Sequence, residues 1–167
     1  MNIVAIIPAR KGSKSIKNKN IINYKGKPLI YHSIKTALKS KLINTVVVST
    51  DSKKYQSMVI KFGASAPFLR PNKYSNDNSS DRDFIIHASK FLISKNNYPD
   101  LIVLLRPTTP NRDIKIVNKG IKFFIKNFKK YDSMRSVSKF NQPPQKLFMI
   151  KNKTLKGFFD KVLKGEY

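Results

Sequence analysis

The chain has 167 residues, a formal net charge of +25 and no cysteine, and 40% of its residues are hydrophobic. This length and apolar content fit one folded domain with a buried core, and they exclude an intrinsically disordered chain. The lack of cysteine excludes a disulfide framework and a cysteine-based metal site or nucleophile. No apolar run reaches the length of a membrane span, and the short N-terminal run lacks the basic region of a signal peptide. We therefore expect a cytoplasmic protein with no membrane partner.

The positive charge has two interpretations. It is typical of a basic nucleic-acid-binding protein without catalysis, which uses the charge to bind a polyanion. It is also what a general bias towards lysine produces. The 28 lysines outnumber the 6 arginines and are scattered over the whole chain, whereas a dedicated nucleic-acid face clusters its basic residues and uses more arginine. The distribution favours a lysine bias, so we expect no nucleic-acid partner and keep nucleic-acid binding as the alternative.

The first third of the chain predicts two strands and two helices. The continuous apolar run Ile3–Pro8 is typical of a strand buried on both faces. Pro28 suits the first position of the helix that follows, because proline needs no hydrogen-bond partner there. Thr45–Ser49 is a second, β-branched strand. The segment Thr50-Asp51-Ser52 then supplies the N-cap of a helix that Gly63 ends.

The rest of the chain continues the alternation. A short third strand is expected at Ala66–Leu69, followed by a polar loop over residues 70–80 and a helix. Leu101–Leu105 is the most apolar strand, and Asp113 begins a long helix after the loop RPTTPNR. Two further strands are expected at residues 133–138 and 147–150. Strands that alternate with helices predict an α/β domain with a mainly parallel sheet.

Three loops follow strongly predicted strands: ARKGS, STD and RPTTP, which begin at Ala9, Ser49 and Arg106. Right-handed crossovers bring the carboxyl ends of parallel strands to the same edge of a sheet. Ligands of such sheets bind beyond that edge, near the point where the strand order switches. The convergence of the three loops therefore predicts a binding site.

The first loop belongs to the stretch IPARKGSKSIKNKN, which begins at Ile7. It is neither a Walker A loop nor a GxGxxG fingerprint, because it has one glycine and the wrong spacing. It has the groups that a phosphate site needs, since Gly12 lets the main chain approach closely and Ser13 offers a hydroxyl. Three side chains offer positive charge: Arg10, Lys14 and Lys19. The alternative is a solvated basic loop between a strand and a helix.

The other two loops leave two interpretations each. Asp51 either lies near phosphates or a metal, or caps the following helix. The loop that contains Arg106 is either a stiff ligand-facing wall or a stiff structural turn, because two prolines restrain it. In a lysine-rich chain the use of arginine points to a planar, two-pronged donor for phosphate or carboxylate. Four arginines fall in loops after apolar runs: Arg10, Arg70, Arg106 and Arg112.

The sequence identifies no metal site and no nucleophile–base arrangement. His32 and His87 lie within helical patterns beside apolar residues, so we expect them to pack or to lie at the surface. No histidines or carboxylates have the spacing of metal ligands, and the metal ligands stay unassigned.

Taken together, these motifs resemble the acylneuraminate cytidylyltransferases, the CMP-sialic acid synthetases. The resemblance covers about residues 1–150. It rests on IPARKGSKSIKNKNI with GKPLIYHSI, then VVVSTD, FLRP, NDNSSDRDFIIHA, LLRPTTPNR and SMRSVSKFNQPPQK, in that order. It implies a three-layer, Rossmann-like nucleotidyltransferase fold. It also implies one domain over residues 1–167 that lacks the C-terminal part of the family domain, and a homodimer when complete.

The resemblance further implies transfer of CMP from CTP to a nonulosonic, sialic-acid-like sugar, with release of pyrophosphate and with Mg²⁺ as cofactor. Carried over from the family motifs, the triphosphate residues are Arg10, Gly12, Ser13, Lys14 and Lys19, of which Arg10 and Lys19 are the catalytic candidates. Asn20 and Arg70 are expected near the cytosine and ribose. The sugar side is expected to use Asp77, Ser80, Asp81, Arg106 and Lys146.

Two departures from the family pattern affect these expectations. Many members have glutamine where this chain has Arg106, and an arginine there is suited to pair with the carboxylate of the sugar. The metal-binding aspartates of the family lie in a C-terminal region that this chain lacks, so we expect low or no turnover from the chain as given. A nucleotidyltransferase for another base or another acidic sugar remains the second alternative, and the sequence does not identify the sugar.

Overall fold

The computed structural model describes residues 1–13, 16–137, 148–152 and 154–157. They belong to two compact units, Met1–Tyr131 and Asp132–Tyr167. The strands of the first unit are β1 (Ile3–Pro8), β2 (Asn23–Tyr24), β3 (Lys27–Pro28), β4 (Thr45–Ser49) and β5 (Leu101–Leu104). Its α-helices are α1 (Leu29–Leu38), α2 (Lys53–Lys61), α3 (Asp81–Ser94) and α4 (Ile114–Asn127), and short 3-10 helices cover Lys19–Ile21 and Asn72–Tyr74. In the second unit, β6 (Phe148–Lys151) and β7 (Thr154–Gly157) form an antiparallel hairpin.

The main sheet of the first unit has the strand order β4-β1-β5, and both pairings are parallel. This confirms the predicted parallel sheet. Val4 of the central strand pairs with Thr45 on one side and with Ile102 on the other. Because the chain adds β4 to one side of β1 and β5 to the other, the strand order switches at β1. The carboxyl end of β1 is therefore where this topology places a ligand.

The core lies on both faces of β1, whose side chains alternate between them. On one face Val4 and Ile6 pack in a cluster with Phe84, Ala88 and Leu92 of α3. On the opposite face Ala5 and Ile7 pack in a second cluster with Ile30 and Ile34 of α1 and Val59 of α2. The sheet thus lies between two helical layers, which explains why β1 is continuously apolar.

The ends of the helices follow the predicted signals. Ser52 is the N-cap of α2, and its Oγ accepts a hydrogen bond from the Tyr55 N–H at 3.3 Å. Gly63 follows the end of α2 with a φ of 90°, a left-handed conformation that glycine adopts without strain. Asp113 caps α4 by accepting from the Lys115 N–H at 2.8 Å. Among the described helices, none is long and apolar enough to cross a membrane.

The strand predicted at Ala66–Leu69 is wrong as a continuous strand. The segment makes two isolated parallel bridges, Val47 with Ser65 and Thr50 with Leu69. Pro67 has no N–H to donate to a ladder, and the Ala66 carbonyl accepts from the side-chain amide of Gln56 at 2.7 Å. The local chemistry therefore interrupts the ladder between the two bridges.

The strand predicted at residues 133–138 is wrong for residues 133–137, which form no strand. Val137 is 91% exposed, so its apolar side chain does not bury against a core. Ser138 lies outside the described residues. The strand predicted at residues 147–150 is observed as β6, except that Leu147 also lies outside the described residues.

We expect Ile6→Ala to lower the free energy of unfolding by about 2–5 kcal/mol, because Ile6 is fully buried in the central strand and alanine would leave a cavity. Urea unfolding measures the change. Ile116→Ala is the matched control, because this isoleucine is 68% exposed and its truncation should stay within about 0.5 kcal/mol. Equal effects at the two positions would contradict the assignment of the core.

Candidate active site

A cavity of about 590 Å³ opens at the carboxyl edge of the main sheet. It lies where the loops after β1 and β5 meet the segment that precedes α3, and its volume suits a small-molecule ligand. Eight of the residues predicted for the site line it: Arg10, Ser13, Lys19, Asn20, Arg70, Asp77, Asp81 and Arg106. The structure therefore brings together residues that lie up to about a hundred positions apart in the sequence.

Among the described residues, the charged side chains of the lining are four cations and two carboxylates. Arg10 pairs with Asp77 at 3.0 Å and donates from Nη1 to the Asn76 carbonyl at 2.9 Å. Arg106, on the loop after β5, pairs with Asp81 at the start of α3. Lys19 and Arg70 add two further positive charges to the lining. This excess of positive charge suits a polyanionic ligand.

The first loop is held at both ends by hydrogen bonds. The Asn20 side-chain amide donates to the Arg10 carbonyl at 2.9 Å, and the Lys11 N–H donates to Asp51 Oδ1 at 2.8 Å. Further along the loop, the Tyr55 hydroxyl donates to Asn18 Oδ1 at 3.2 Å. Asn20 was predicted near the nucleoside. The structure shows that it lines the cavity and also fixes the main chain of the loop.

Arg70 is a buried cation, with 5% of its surface exposed. Its Nε donates to Ser49 Oγ at 3.0 Å, a second guanidinium nitrogen donates to the Ser49 carbonyl, and the guanidinium lies 4.8 Å from the Phe84 ring centre. Burial lowers the pKa of Arg70 to about 10, although the negative charge of Asp51 opposes the shift. Arg70 therefore stays protonated near neutral pH and lines the cavity in one fixed orientation.

Arg112 holds the main chain of the third loop. Its Nη2 donates to the Arg106 carbonyl at 2.7 Å, and its Nη1 donates to Ser33 Oγ at 3.1 Å. Ser33 donates to the same carbonyl at 3.2 Å. Burial lowers the pKa of Arg112. The sequence predicted a two-pronged donor for an anion among the four loop arginines. In the structure, both terminal nitrogens of Arg112 donate to groups of the protein itself, the Ser33 hydroxyl and the Arg106 carbonyl.

Four of the predicted site residues are not seen at the cavity. Gly12 does not line it, and a Cβ added there would meet nothing within 4 Å. Ser80 caps α3 in a reciprocal capping box with Asp83. Lys14 and Lys146 lie outside the described residues. The ligand-binding roles of these four residues stay predictions.

Both histidines pack against aromatic rings, which agrees with the expectation that they pack or lie at the surface. His32 Nε2 lies 2.8 Å from the Tyr24 carbonyl, and its ring meets the Tyr24 ring edge-on. The His87 ring lies between Phe68 and Tyr74, at 4.7 and 5.6 Å between ring centres. Across the described part of the chain, no group of three or more His, Cys, Asp or Glu is placed to hold a metal ion.

Comparison with known proteins gives a consistent set of relatives. Residues 4–143 match a family described as cytidylyltransferase. The chain is 35% identical over 158 residues to the N-acylneuraminate cytidylyltransferase of Escherichia coli, covering 95% of this chain and 36% of that protein. It is 36% identical over 160 residues to the pseudaminic acid cytidylyltransferase of Campylobacter jejuni, covering 96% and 68%. A CMP-N,N'-diacetyllegionaminic acid synthase of Legionella pneumophila is 39% identical over 125 residues, covering 72% and 52%. The chain thus spans from about a third to two thirds of these relatives.

Solved structures show the same fold. A CMP:2-keto-3-deoxy-manno-octonic acid synthetase complexed with CTP matches with a TM-score of 0.64 and 24% identity, over 76% of this chain and 48% of that one. A 4-diphosphocytidyl-2C-methyl-D-erythritol synthase matches with a TM-score of 0.56 and 12% identity, over 72% and 53%. At these identities the likeness concerns the fold alone, and it confirms the predicted Rossmann-like architecture.

We expect His87 to make the protein less stable as the pH falls from about 7.5 to 5.5. Burial lowers the pKa of His87, and the positive charges of Arg70 and Lys73 lower it further. An unfolded histidine titrates near 6.5. As the pH falls through that value, His87 takes up a proton in the unfolded chain. In the folded protein His87 is protonated only at a lower pH, so the free energy of unfolding declines across this window.

Urea unfolding of the parent and of His87→Phe at several pH values measures this effect. Phenylalanine keeps an aromatic ring between Phe68 and Tyr74 but cannot titrate, so the decline should be smaller in the variant. An equal decline in the two proteins would show that other groups cause the pH dependence.

Proposed function

The chain belongs to the cytidylyltransferase family, and from this membership we propose that it transfers CMP from CTP to a nonulosonic, sialic-acid-like sugar, with release of pyrophosphate. The observation that carries the proposal is the single cavity that collects Arg10, Lys19, Arg70 and Arg106 from three separate segments. Relatives that cover most of this chain are named for CMP transfer to N-acylneuraminate and pseudaminic acid.

The triphosphate belongs at the first loop. Arg10 and Lys19 supply positive charge, Ser13 supplies a hydroxyl, and Gly12 and Lys14 complete the predicted set. In the reaction the anomeric hydroxyl of the sugar loses its proton to solvent, and its oxygen bonds to the α-phosphorus of CTP. The bond from that phosphorus to the oxygen that bridges to the β-phosphate breaks. Positive side chains stabilise the charge that develops on the departing pyrophosphate. The main contribution of the protein is to align the reacting atoms and neutralise charge.

The nucleoside belongs beside Asn20 and Arg70. Both are buried to 5% exposure and both are fixed by hydrogen bonds within the protein. Fixed polar groups recognise a rigid base at a low entropic cost, because little has to be ordered on binding. This supports their predicted place near the cytosine and ribose.

The sugar belongs on the side of Arg106. A carboxylate is a suitable two-pronged partner for a guanidinium, and nonulosonic acids carry one. Arg106 now pairs with Asp81, so the carboxylate of the sugar would replace Asp81 as its partner. Asp77, Ser80 and Lys146 complete the predicted sugar side.

Mg²⁺ stays a prediction from the family resemblance. The two carboxylates that line the cavity pair with arginines, and the described residues offer no three-ligand cluster. The described residues therefore do not by themselves form a metal site, and no step is assigned to a metal. A homodimer, a cytoplasmic location and the lack of a nucleic-acid partner also stay predictions.

Binding and turnover assays test the proposed function. Calorimetry should show that CTP binds more tightly than UTP, ATP or GTP. Pyrophosphate release should require CTP together with one of N-acetylneuraminate, legionaminate or pseudaminate. Equal affinities for the four nucleotides would contradict the choice of cytidine. Tight, steeply salt-dependent binding of nucleic acid that persists in Arg10→Ala would favour the nucleic-acid alternative.

We expect Arg10→Ala to weaken CTP binding by about tenfold or more, because a hydrogen bond to a charged group is worth about 1.5–3 kcal/mol. Arg106→Ala should leave CTP affinity within about threefold and raise the KM for the sugar instead. Arg82→Ala is the control, since this arginine is exposed and does not line the cavity. Equal losses of CTP affinity in the Arg10 and Arg106 variants would contradict the division of the cavity.

We expect Gly12→Ala to leave the melting temperature almost unchanged, because the added methyl group would meet nothing within 4 Å. If the triphosphate lies against the main chain of Gly12, the same methyl group should weaken CTP binding by about tenfold. Gly26→Ala is the opposite control. Gly26 has a φ of 76°, so alanine there should lower the melting temperature without changing CTP affinity. Unchanged CTP affinity in Gly12→Ala would exclude close approach at this glycine.

A further inference from the structure

The turn Ser49-Thr50-Asp51, which begins at the last residue of β4, contacts the first loop without lining the cavity. The Ser49 carbonyl accepts from the Ala9 N–H at 2.9 Å. Asp51 Oδ1 accepts from the Lys11 N–H at 2.8 Å. The turn therefore holds the main chain on both sides of Arg10, whose side chain enters the cavity.

The same turn also holds Arg70 on its other side. The Thr50 carbonyl accepts from the Arg70 N–H at 2.7 Å, and Ser49 receives the guanidinium through its hydroxyl and its carbonyl. One three-residue turn thus fixes two segments that line the cavity. Towards the first loop, Ser49 uses its main-chain carbonyl, whereas Asp51 uses its side chain.

Asp51 is not the cap of α2, because Ser52 supplies the capping oxygen. Its carboxylate reaches across to a loop that lies 40 residues earlier in the chain. The N–H of Lys11 belongs to no helix or strand, and the acceptor that the structure gives it is Asp51 Oδ1. A carboxylate is a strong acceptor for such a main-chain N–H.

We propose that Asp51 is a positioning residue, which orders the main chain of the first loop through the Lys11 N–H before the nucleotide binds. The inference rests on the proposed function for the identity of the ligand. Order that exists before binding raises affinity, because the ligand no longer supplies the free energy that restrains the loop. Asp51 acts through Lys11 and contacts neither the phosphates nor a metal.

Two substitutions separate this role from direct binding. Asp51→Asn keeps an acceptor oxygen that can reach Lys11 but loses the charge, whereas Asp51→Ala loses both. The Lys11 amide should exchange its hydrogen at least tenfold faster in ligand-free Asp51→Ala, and near the parent rate in Asp51→Asn. Nuclear magnetic resonance measures that rate. Asp51→Ser, whose hydroxyl is too short to reach Lys11, replaces the alanine variant if that variant does not fold.

The two Asp51 variants should also differ in their affinity for CTP. We expect Asp51→Ala to weaken CTP by about tenfold, as loss of a charge-assisted hydrogen bond would. Asp51→Asn should stay within about threefold, and the pattern should be the same with and without Mg²⁺. Asp100→Ala is the matched control, because Asp100 accepts from the Asn2 N–H at 2.5 Å at the opposite end of β1. Asp100→Ala likewise loses an acceptor oxygen and a negative charge, and it should keep the CTP affinity of the parent.

Three results would contradict either the positioning role of Asp51 or the proposed function. Unchanged exchange of the Lys11 amide in Asp51→Ala would overturn the positioning role. So would equal loss of CTP affinity in the alanine and asparagine variants that appears only with Mg²⁺, since a metal ligand would behave that way. If the parent binds no CTP although the Lys11 amide responds as expected, the proposed function fails and the ordering of the loop by Asp51 stands.

Discussion

The central position of β1 is the constraint on which the rest of the structure depends. A parallel strand with neighbours on both sides must bury both of its faces, and β1 does so against α3 on one side and against α1 and α2 on the other. Parallel neighbours also place the carboxyl ends of the three strands at one edge. The cavity lies at that edge, where the loops after β1 and β5 meet the segment that precedes α3.

Local chemistry accounts for what the sequence could and could not predict. Three features depend only on residues close to them in the chain: the apolar run of β1, the cap at Ser52 and the glycine at position 63. Their structural roles could therefore be predicted from the sequence. The segment at residues 66–69 has strand-like composition, yet Pro67 and the contact from Gln56 prevent a continuous ladder. That contact depends on how α2 packs, which no short-range pattern encodes. Val137 shows the converse case, because an apolar residue forms a strand only where a partner strand or a core receives it.

The sequence predicted most of the residues that line the cavity, but it did not predict the ion pairs and hydrogen bonds between them. The loops that follow predicted strands identify Arg10, Arg70 and Arg106 from the sequence alone. The sequence did not reveal that Arg10 and Arg106 pair with carboxylates from one segment, Asp77 and Asp81. Such pairs keep two arginines of a strongly basic protein in place near the surface. Each exposed pair contributes little to stability, so an anionic ligand can exchange with the carboxylate at a small cost.

Arg112 and Asp51 fix loops of the cavity without lining the cavity themselves. Each uses a charged side chain on a main-chain group of a cavity loop, the Arg106 carbonyl in one case and the Lys11 N–H in the other. A main-chain contact fixes the position of the loop and leaves the neighbouring side chains available for a ligand. Both contacts join segments that are distant in sequence and adjacent at the sheet edge. The parallel topology therefore brings together the residues that line the cavity and also the charged groups that hold their loops in place.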